Sequence, residues 1–467
     1  MQSMYGNQRV LVLGMGDSGL SACRWLCAHG AQVTVADSRS APPQLARFQQ
    51  DLPQVSIHLG PFDDMLFGGI DYAVVSPGIA LAEPAIARAQ ARGVPMLGDV
   101  ELFARWIRDW PSKVIAITGS NGKSTVTSLV GHLCQQAGLK TMVAGNIGLP
   151  VLDALEACEE DRADGAAYPD VFVLELSSFQ LETTNSLRCD SATVLNLSED
   201  HLDRYDGMDG YAAAKQRIFL NAKAQVLNRD DARSWAMRDA RLPLRSFALA
   251  TPQSASEYGL LDRADGLMLA RGDQALLPVL SVPLPGLHNA ANVLSALALL
   301  DAAGLPLATL LPHVASFRGL PHRVEPVLTL NGVTFIDDSK GTNVGATEAA
   351  LLGFDRGVRL IAGGDGKGQD FSPLQHAVQR STRAVYLIGR DAAQIEAALQ
   401  GSGVPVQHCA DLPAAVEAAW ADAQDGEVIL LSPACASLDM FRNYAHRAEV
   451  FIAAANAIAA RVGGAHG

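Results

Sequence analysis

The sequence predicts an α/β protein of three domains built on mainly parallel sheets. Three observations carry that expectation. The chain has 467 residues, past the size at which a single hydrophobic core keeps growing, and roughly 150 residues per domain suggests three. Short apolar runs alternate with Ala- and Arg-rich helical stretches along most of its length. At two points a glycine turn stands directly between an apolar run and a helical stretch. The expected divisions are 1-101, 102-319 and 320-467. Hydrophobic residues make up 49% and charged ones 18%, so apolar surface is ample and nothing in the composition suggests disorder.

In the first block the strands are expected at 10–13, 33–36 and 72–75. Gly14-Met15-Gly16-Asp17-Ser18-Gly19 follows the first of these and opens a helix, and Asp37 closes the next strand. This formally satisfies a dinucleotide fingerprint, so the block reads as Rossmann-like. An NAD-dependent dehydrogenase is therefore the competing functional reading, although the same geometry serves any pyrophosphate on a helix N-terminus. The second block places strands at 113–117, 171–176, 192–197 and 224–227 with helices between. From 246 to 284 short runs punctuated by Gly, Asp and Pro read as a small antiparallel annex. A helix begins near Asn289 after the Pro285-Gly286 turn, with Asn289 a normal cap. Residues 312–326 contain three prolines and a glycine without an apolar period, and read as the interdomain linker. The third block, with strands at 333–336, 359–362, 384–388 and 428–431, is a second Rossmann-like unit.

Composition also excludes partners. A formal charge of -13 without a concentrated basic patch argues against nucleic acid and anionic membrane surfaces. No apolar run reaches membrane-spanning length. The N-terminus enters a strand almost at once, with no basic n-region or small-residue cleavage site, so no signal peptide is expected. The seven cysteines are an odd count with no C-x-x-C pair, which suits a reduced cytoplasmic chain. Cys23 and Cys27 share a helix face, a spacing read as small apolar packing.

The strongest local signal is Ile115-Ala116-Ile117-Thr118-Gly119-Ser120-Asn121-Gly122-Lys123-Ser124-Thr125. A strand, a glycine turn and a helix in that order make a phosphate cradle. Gly119 and Gly122 let backbone N–H groups converge on phosphate oxygens, Lys123 neutralises β/γ charge, and Ser124 can reach Mg²⁺. The full phosphate-loop pattern wants Gly where Ile117 stands.

Further along the chain, Ser76-Pro77-Gly78-Ile79, Gly145-Asn146-Ile147-Gly148, Glu175-Leu176-Ser177-Ser178-Phe179-Gln180, Glu199-Asp200-His201, Leu320-Pro321-His322-Arg323, Asp338-Ser339-Lys340 and Ser432-Pro433-Ala434-Cys435-Ala436-Ser437 follow in order. With the loop, these segments resemble the Mur ligases, whose relatives include folylpolyglutamate synthases. The resemblance covers nearly the whole chain and is closest to the glutamate-adding branch. It implies an ATP-dependent amide ligase that joins D-glutamate to UDP-N-acetylmuramoyl-L-alanine through an acyl phosphate, releasing ADP and phosphate, in peptidoglycan precursor synthesis. A related ligase of the same family using another amino acid is the nearer alternative. A monomer acting in the cytoplasm is expected.

The same resemblance implies roles for residues that would otherwise be unremarkable. Lys123, Glu175, His201 and Lys215 are implied as catalytic, and Ser124, Glu175, His201 and a Lys215 carbamate as ligands of Mg²⁺ at two sites. Glu175 by itself is a strand-end cap, His201 a loop histidine and Lys215 a solvent-facing helix lysine. The resemblance places ATP against Gly119, Ser120, Asn121, Gly122, Lys123, Ser124, Thr125, Asn292, Arg323 and Asp338. It places the UDP substrate against Asp17, Ser18, Asp37, Ser38, Arg39, Ser76 and Asn146. Lys340, Thr342, Lys367, Ser437 and Tyr444 match positions around the incoming amino acid. Two lysines there suit an acidic substrate, which would otherwise pay a heavy desolvation cost in a closed cleft. The sequence departs from the family at Tyr444, where Phe is usual, and at Gly341, where Ala is common. A catalytically dead nucleotide-binding scaffold is a third reading, and the joint presence of Lys123, Glu175, His201 and Lys215 argues against it.

Overall fold

The computed structural model describes residues 5–201, 204–284, 286–354 and 357–464; Pro285, expected in the turn before a helix, lies outside them. The strands form three sheets. The first comprises β1 (Arg9–Leu13), β2 (Gln32–Asp37), β3 (Ser56–Leu59), β4 (Tyr72–Val75) and β5 (Met96–Leu97), all parallel, in the order β3-β2-β1-β4-β5. β1 is apolar at successive positions because both faces are covered. Val10 and Val12 enter one core, Leu11 and Leu13 the other.

The central sheet comprises β6 (Lys113–Thr118), β7 (Thr141–Gly145), β8 (Val171–Glu175), β9 (Ser191–Val194), β10 (Gln225–Asn228), β11 (Leu244–Phe247), β12 (Glu257–Arg263), β13 (Gly266–Arg271) and β14 (Gln274–Pro278). Their order is β14-β13-β12-β11-β10-β9-β6-β8-β7. The annex is thus the edge of this sheet: β12 pairs parallel with β11, and β12, β13 and β14 then run antiparallel. Val114 and Ala116 face a core shared with the first sheet, while Ile115 and Ile117 face the helix Leu287–Ala302. The helix Asp99–Trp106 joins the two units, with Phe103 edge-on to Phe172 at 5.2 Å.

The third sheet comprises β15 (Glu325–Leu330), β16 (Val333–Asp337), β17 (Val358–Gly363), β18 (Thr382–Ile388), β19 (Val406–His408) and β20 (Val428–Leu431), ordered β15-β16-β20-β17-β18-β19. Only the β15–β16 pair is antiparallel. The linker is shorter than the prolines suggested. Residues Leu311–Ser316 coil into a 3₁₀ helix, Val314 and Phe317 are buried in the central core, and β15 starts at Glu325. Prolines had hidden the apolar spacing. Asn289 is not a cap either: Gly286 holds that position at φ 93°, and Asn289 lies buried inside the helix. Among the described residues no helix is long and apolar enough to cross a membrane. All seven cysteines are free, with Cys23 in the core and Cys27 packed against it.

One buried ion pair ties the third sheet together. Arg359 Nε donates to Glu427 Oε2 at 2.7 Å, and both residues are at most 9% exposed. Glu427→Ala should therefore lower stability by about 3 kcal/mol, because the guanidinium stays buried without its counter-charge. Denaturant unfolding that shifts by less than a third of this would show the Tyr386 hydroxyl, which also accepts from Arg359, to be sufficient.

Candidate active site

β6 ends at Thr118, and Gly119 at φ 151° and Gly122 at φ 82° turn the chain into the helix Lys123–Gln136. Gly122 caps that helix, and a β-carbon there would lie 2.7 Å from Asn292 Oδ1. The helix therefore presents its unpaired N–H groups beside the loop. Lys123 Nζ donates to Gly119 O and Ser120 O, each at 2.9 Å. Burial lowers its pKa, and Glu175 and Asp200 pull it back up. Ser120 donates to Ser198 O and Asn121 N donates to Asn196 Oδ1, so the loop is braced by the segment after β9.

β8 lies beside β6, with Ile117 opposite Glu175. Glu175 is therefore delivered to the root of the loop at 2% exposure. Asn146 Nδ2 donates to its Oε1 at 2.9 Å, whereas Oε2 is buried without a partner. A buried carboxylate oxygen left unmet is costly unless a cation or donor completes it. Nearby, His201 sits at φ 55° with its ring 4.7 Å from Phe179 and Nε2 3.5 Å from Asp200. Burial lowers its pKa against the pull of Asp200. This favours the neutral imidazole, the form that ligates metals.

Lys215 is not the solvent-facing lysine its local sequence suggests. It is 1% exposed, Nζ donates to Gly119 O at 2.9 Å and to Thr118 Oγ1 at 3.3 Å, and it lies 4.6 Å from the Tyr211 ring. Burial, then the charge of Lys123, holds its pKa well below the ordinary lysine value.

The third unit closes over this loop. Arg323 Nη2 donates to Ser124 Oγ at 3.2 Å, Asn343 Nδ2 to Asn121 Oδ1 at 3.0 Å, and Lys367 Nζ to Asp200 Oδ1 at 3.4 Å. Asn121, Gly122, Thr125, Asn292, Arg323 and Asp338 line one narrow cleft between the units. Burial pushes Asp338 up to about 7, against hydrogen bonding from Ser432 at 2.6 Å. Gly341 has a visible reason: a β-carbon there would stand 2.7 Å from Asp338 Oδ2. Lys340 Nζ lies 5.3 Å from the Tyr444 ring, and burial lowers it to about 8. Ser437 is buried and Thr342 half-buried on the neighbouring loops.

A second cleft, of about 790 Å³, runs along the C-terminal ends of the first sheet. Asp17, Ser18, Asp37, Ser38, Arg39, Ser76 and Asn146 all line it. Asn146 thus belongs to this cleft and, through Glu175, to the phosphate loop. Asp37 is already engaged: it accepts from Met15 N at 2.7 Å and pairs with Arg39 through both carboxylate oxygens. Burial raises its pKa, but these bonds outweigh it and hold the carboxyl below its usual value. Arg24, Arg47 and Gln180 also line the cleft and were missed in the sequence. Arg24 and Arg47 lie outside the motif segments, Gln180 ends one without a role being assigned to it, and only the packing of the first unit on the second brings the three together.

Gly145 stands at the junction with φ 116°, and an added β-carbon would meet Glu175 O at 2.2 Å. Gly145→Ala should displace Glu175 and cut turnover by about a hundredfold, on the scale of losing one positioned group. Steady-state kinetics alongside a melting curve would separate this from unfolding.

Fold and site together define a phosphate-loop enzyme in which a third unit closes on the nucleotide loop and a second cleft opens into it. Comparison with known proteins narrows the class. The Mur ligase MurD-like N-terminal domain matches residues 8–98, the Mur ligase middle domain 117–300, and the Mur ligase glutamate ligase domain 322–435. The UDP-N-acetylmuramoylalanine–D-glutamate ligase of Chromobacterium violaceum is 56% identical over 96% of this chain and 97% of its own. That of Thiobacillus denitrificans is 55% identical over 97% of each. Among solved structures, the UDP-N-acetylmuramate-alanine ligase MurC of Thermotoga maritima has a TM-score of 0.59 at 18% identity, covering 97% of this chain and 100% of that one. MurF of Acinetobacter baumannii has a TM-score of 0.55 at 17% identity, covering 92% and 89%. These two share the fold. The chain belongs to the Mur ligase family.

Proposed function

We propose that this protein uses ATP to join D-glutamate to UDP-N-acetylmuramoyl-L-alanine, releasing ADP and phosphate, in peptidoglycan precursor synthesis. The carrying observation is the Asn146–Glu175 junction, which makes one wall common to the large cleft and the phosphate loop. A sugar-nucleotide substrate lying in that cleft, held by Asp17, Ser18, Asp37, Ser38, Arg39 and Ser76, ends with its alanyl carboxylate at the loop. ATP lies on residues 119–125 with Asn292, Arg323 and Asp338 around its nucleoside and phosphates. The proposed division of labour follows the spans 1-101, 102-319 and 320-467.

A carboxylate resists attack by an amine. The γ-phosphoryl group passes to the alanyl carboxylate oxygen, breaking its bond to ADP. The glutamate amine then attacks the carbonyl carbon, the C–O bond to phosphate breaks, and the amine proton leaves with the products. Lys123 steadies charge on the transferred group, and exclusion of water by the closed third unit protects the acyl phosphate. Lys340, Thr342, Lys367, Ser437 and Tyr444 receive the glutamate. Lys367, drawn towards Asp200, is placed to exchange that partner for the substrate's side-chain carboxylate.

Magnesium, when bound, supplies positive charge against the phosphoryl oxygens. The unmet Oε2 of Glu175, the neutral His201 and the Ser124 hydroxyl fit such a cation, in two sites completed by Lys215. A free ammonium at Lys215 does not fit. A carbamate there does, because it replaces a repelling charge by an anionic oxygen.

The dehydrogenase reading is not favoured: the relatives that match nearly the whole chain are ligases, and the fingerprint geometry serves any pyrophosphate on a helix N-terminus. The test is phosphate release with ATP, Mg²⁺, UDP-N-acetylmuramoyl-L-alanine and either enantiomer of glutamate, with NAD reduction followed in parallel. Release with D-glutamate alone is expected. Release with another amino acid in preference would move the chain to a different branch of the family.

A further inference from the structure

We infer that a second polar cleft, where the first unit meets the central one, binds a small oxyanion bridging Arg108 and Arg188. This cleft has a volume of about 620 Å³ and lies at the far end of the first sheet from the substrate cleft. Its lining includes Gln8 and Tyr72, which stand at the starts of β1 and β4, whereas the substrate cleft gathers around their ends. No residue of it belongs to the proposed ligase machinery.

Three guanidinium groups line it, and they are not equivalent. Arg105 is spent: its Nε donates to Glu101 Oε1 at 2.9 Å. Glu101 Oε2 accepts from Asn185 N at 2.7 Å and Ser186 N at 2.9 Å, so this carboxylate has its charge and its lone pairs met from within. Arg108 and Arg188 are exposed, and among the described residues neither side chain has a hydrogen bond or ion pair. The lining therefore carries two uncompensated positive charges, both from the central unit, while Tyr72 faces them from the first. At its base Tyr72 is 6% exposed and its hydroxyl is buried with no partner. Beside it Tyr5 makes one long bond, 3.5 Å to Leu102 O. An unmet buried donor beneath two free guanidiniums wants an acceptor with spare negative charge. A phosphate or a polycarboxylate meets both demands, one oxygen reaching the phenol and the others the rim. Such an anion would tie the first unit to the central one.

The experiment is ¹³C NMR of the full chain labelled at tyrosine, with the Tyr72 signal assigned by Tyr72→Phe, which removes only the unpartnered hydroxyl. Inorganic phosphate and citrate are titrated separately against potassium chloride at equal ionic strength. A saturable shift of the Tyr72 signal by either probe is expected, weakened about tenfold or more in Arg108→Ala/Arg188→Ala. A response to phosphate alone assigns a phosphorylated ligand, and a response to citrate alone a polycarboxylate. The inference is overturned if neither probe shifts Tyr72 beyond the chloride control, or if the shift survives loss of both arginines. Phosphate bound at the ATP loop would leave the Tyr72 signal in place, so the readout is independent of the ligase reading.

Discussion

Lys123→Ala should lower ATP turnover by about a thousandfold or more while leaving equilibrium binding of the UDP substrate within about twofold. Two physical effects combine in the loss. The substitution removes the cation that meets the transferring phosphoryl group, and it strips Gly119 O and Ser120 O of the donor that holds the loop in shape. The substrate cleft is built from the ends of the first sheet and is joined to the loop through Asn146 and Glu175, and no loop residue lines it, so its geometry should persist. Phosphate release and calorimetric titration of UDP-N-acetylmuramoyl-L-alanine would be measured on the same preparation. Equal loss of both would sink the assignment of the two nucleotides to different clefts.

The second large effect is expected at Lys215. Lys215→Ala should lose most activity, about a hundredfold or more, and a short carboxylate such as acetate should restore part of it by filling the space left beside Gly119. Lys215→Arg should fail as well, because guanidinium keeps its charge and cannot take up CO₂. A lysine whose task was only to donate to Gly119 O and Thr118 Oγ1 would behave differently. Arginine could then substitute in part, and acetate would bring nothing back. Near-normal turnover of Lys215→Arg, or activity of Lys215→Ala without added carboxylate, ends the carbamate proposal.

The phosphate loop was readable because its parts are contiguous. Strand, glycine turn and helix follow one another in the chain, and backbone conformation there depends on Gly119 and Gly122 themselves. Buried strands read equally well, since a strand covered on both faces carries an unbroken apolar run, as at 10–13 in β1 and 114–117 in β6. β15, an edge strand with only partial burial, and the short exposed β19 left no such run and were missed. The linker was overextended for a related reason, because prolines masked the apolar residues Val314 and Phe317 that seat its first half.

What the sequence determined alone, then, is everything that rests on neighbours in the chain: the α/β class, the order of most strands, the phosphate loop and the ordered motifs that mark the family. Tertiary structure decided which of the named groups meet and in what state. Lys215 reads as exposed in its own helix, yet Tyr211, Ala214 and Lys215 form its buried stripe. Packing against the loop strips the lysine of water and lowers its pKa. The contact of Arg323 with Ser124, the sharing of Asn146 between two clefts and the unmet oxygen of Glu175 likewise arise only when elements far apart in the chain are brought together. Charge state and hydrogen-bond satisfaction depend on desolvation by residues far away in the chain, and no local pattern records which those will be.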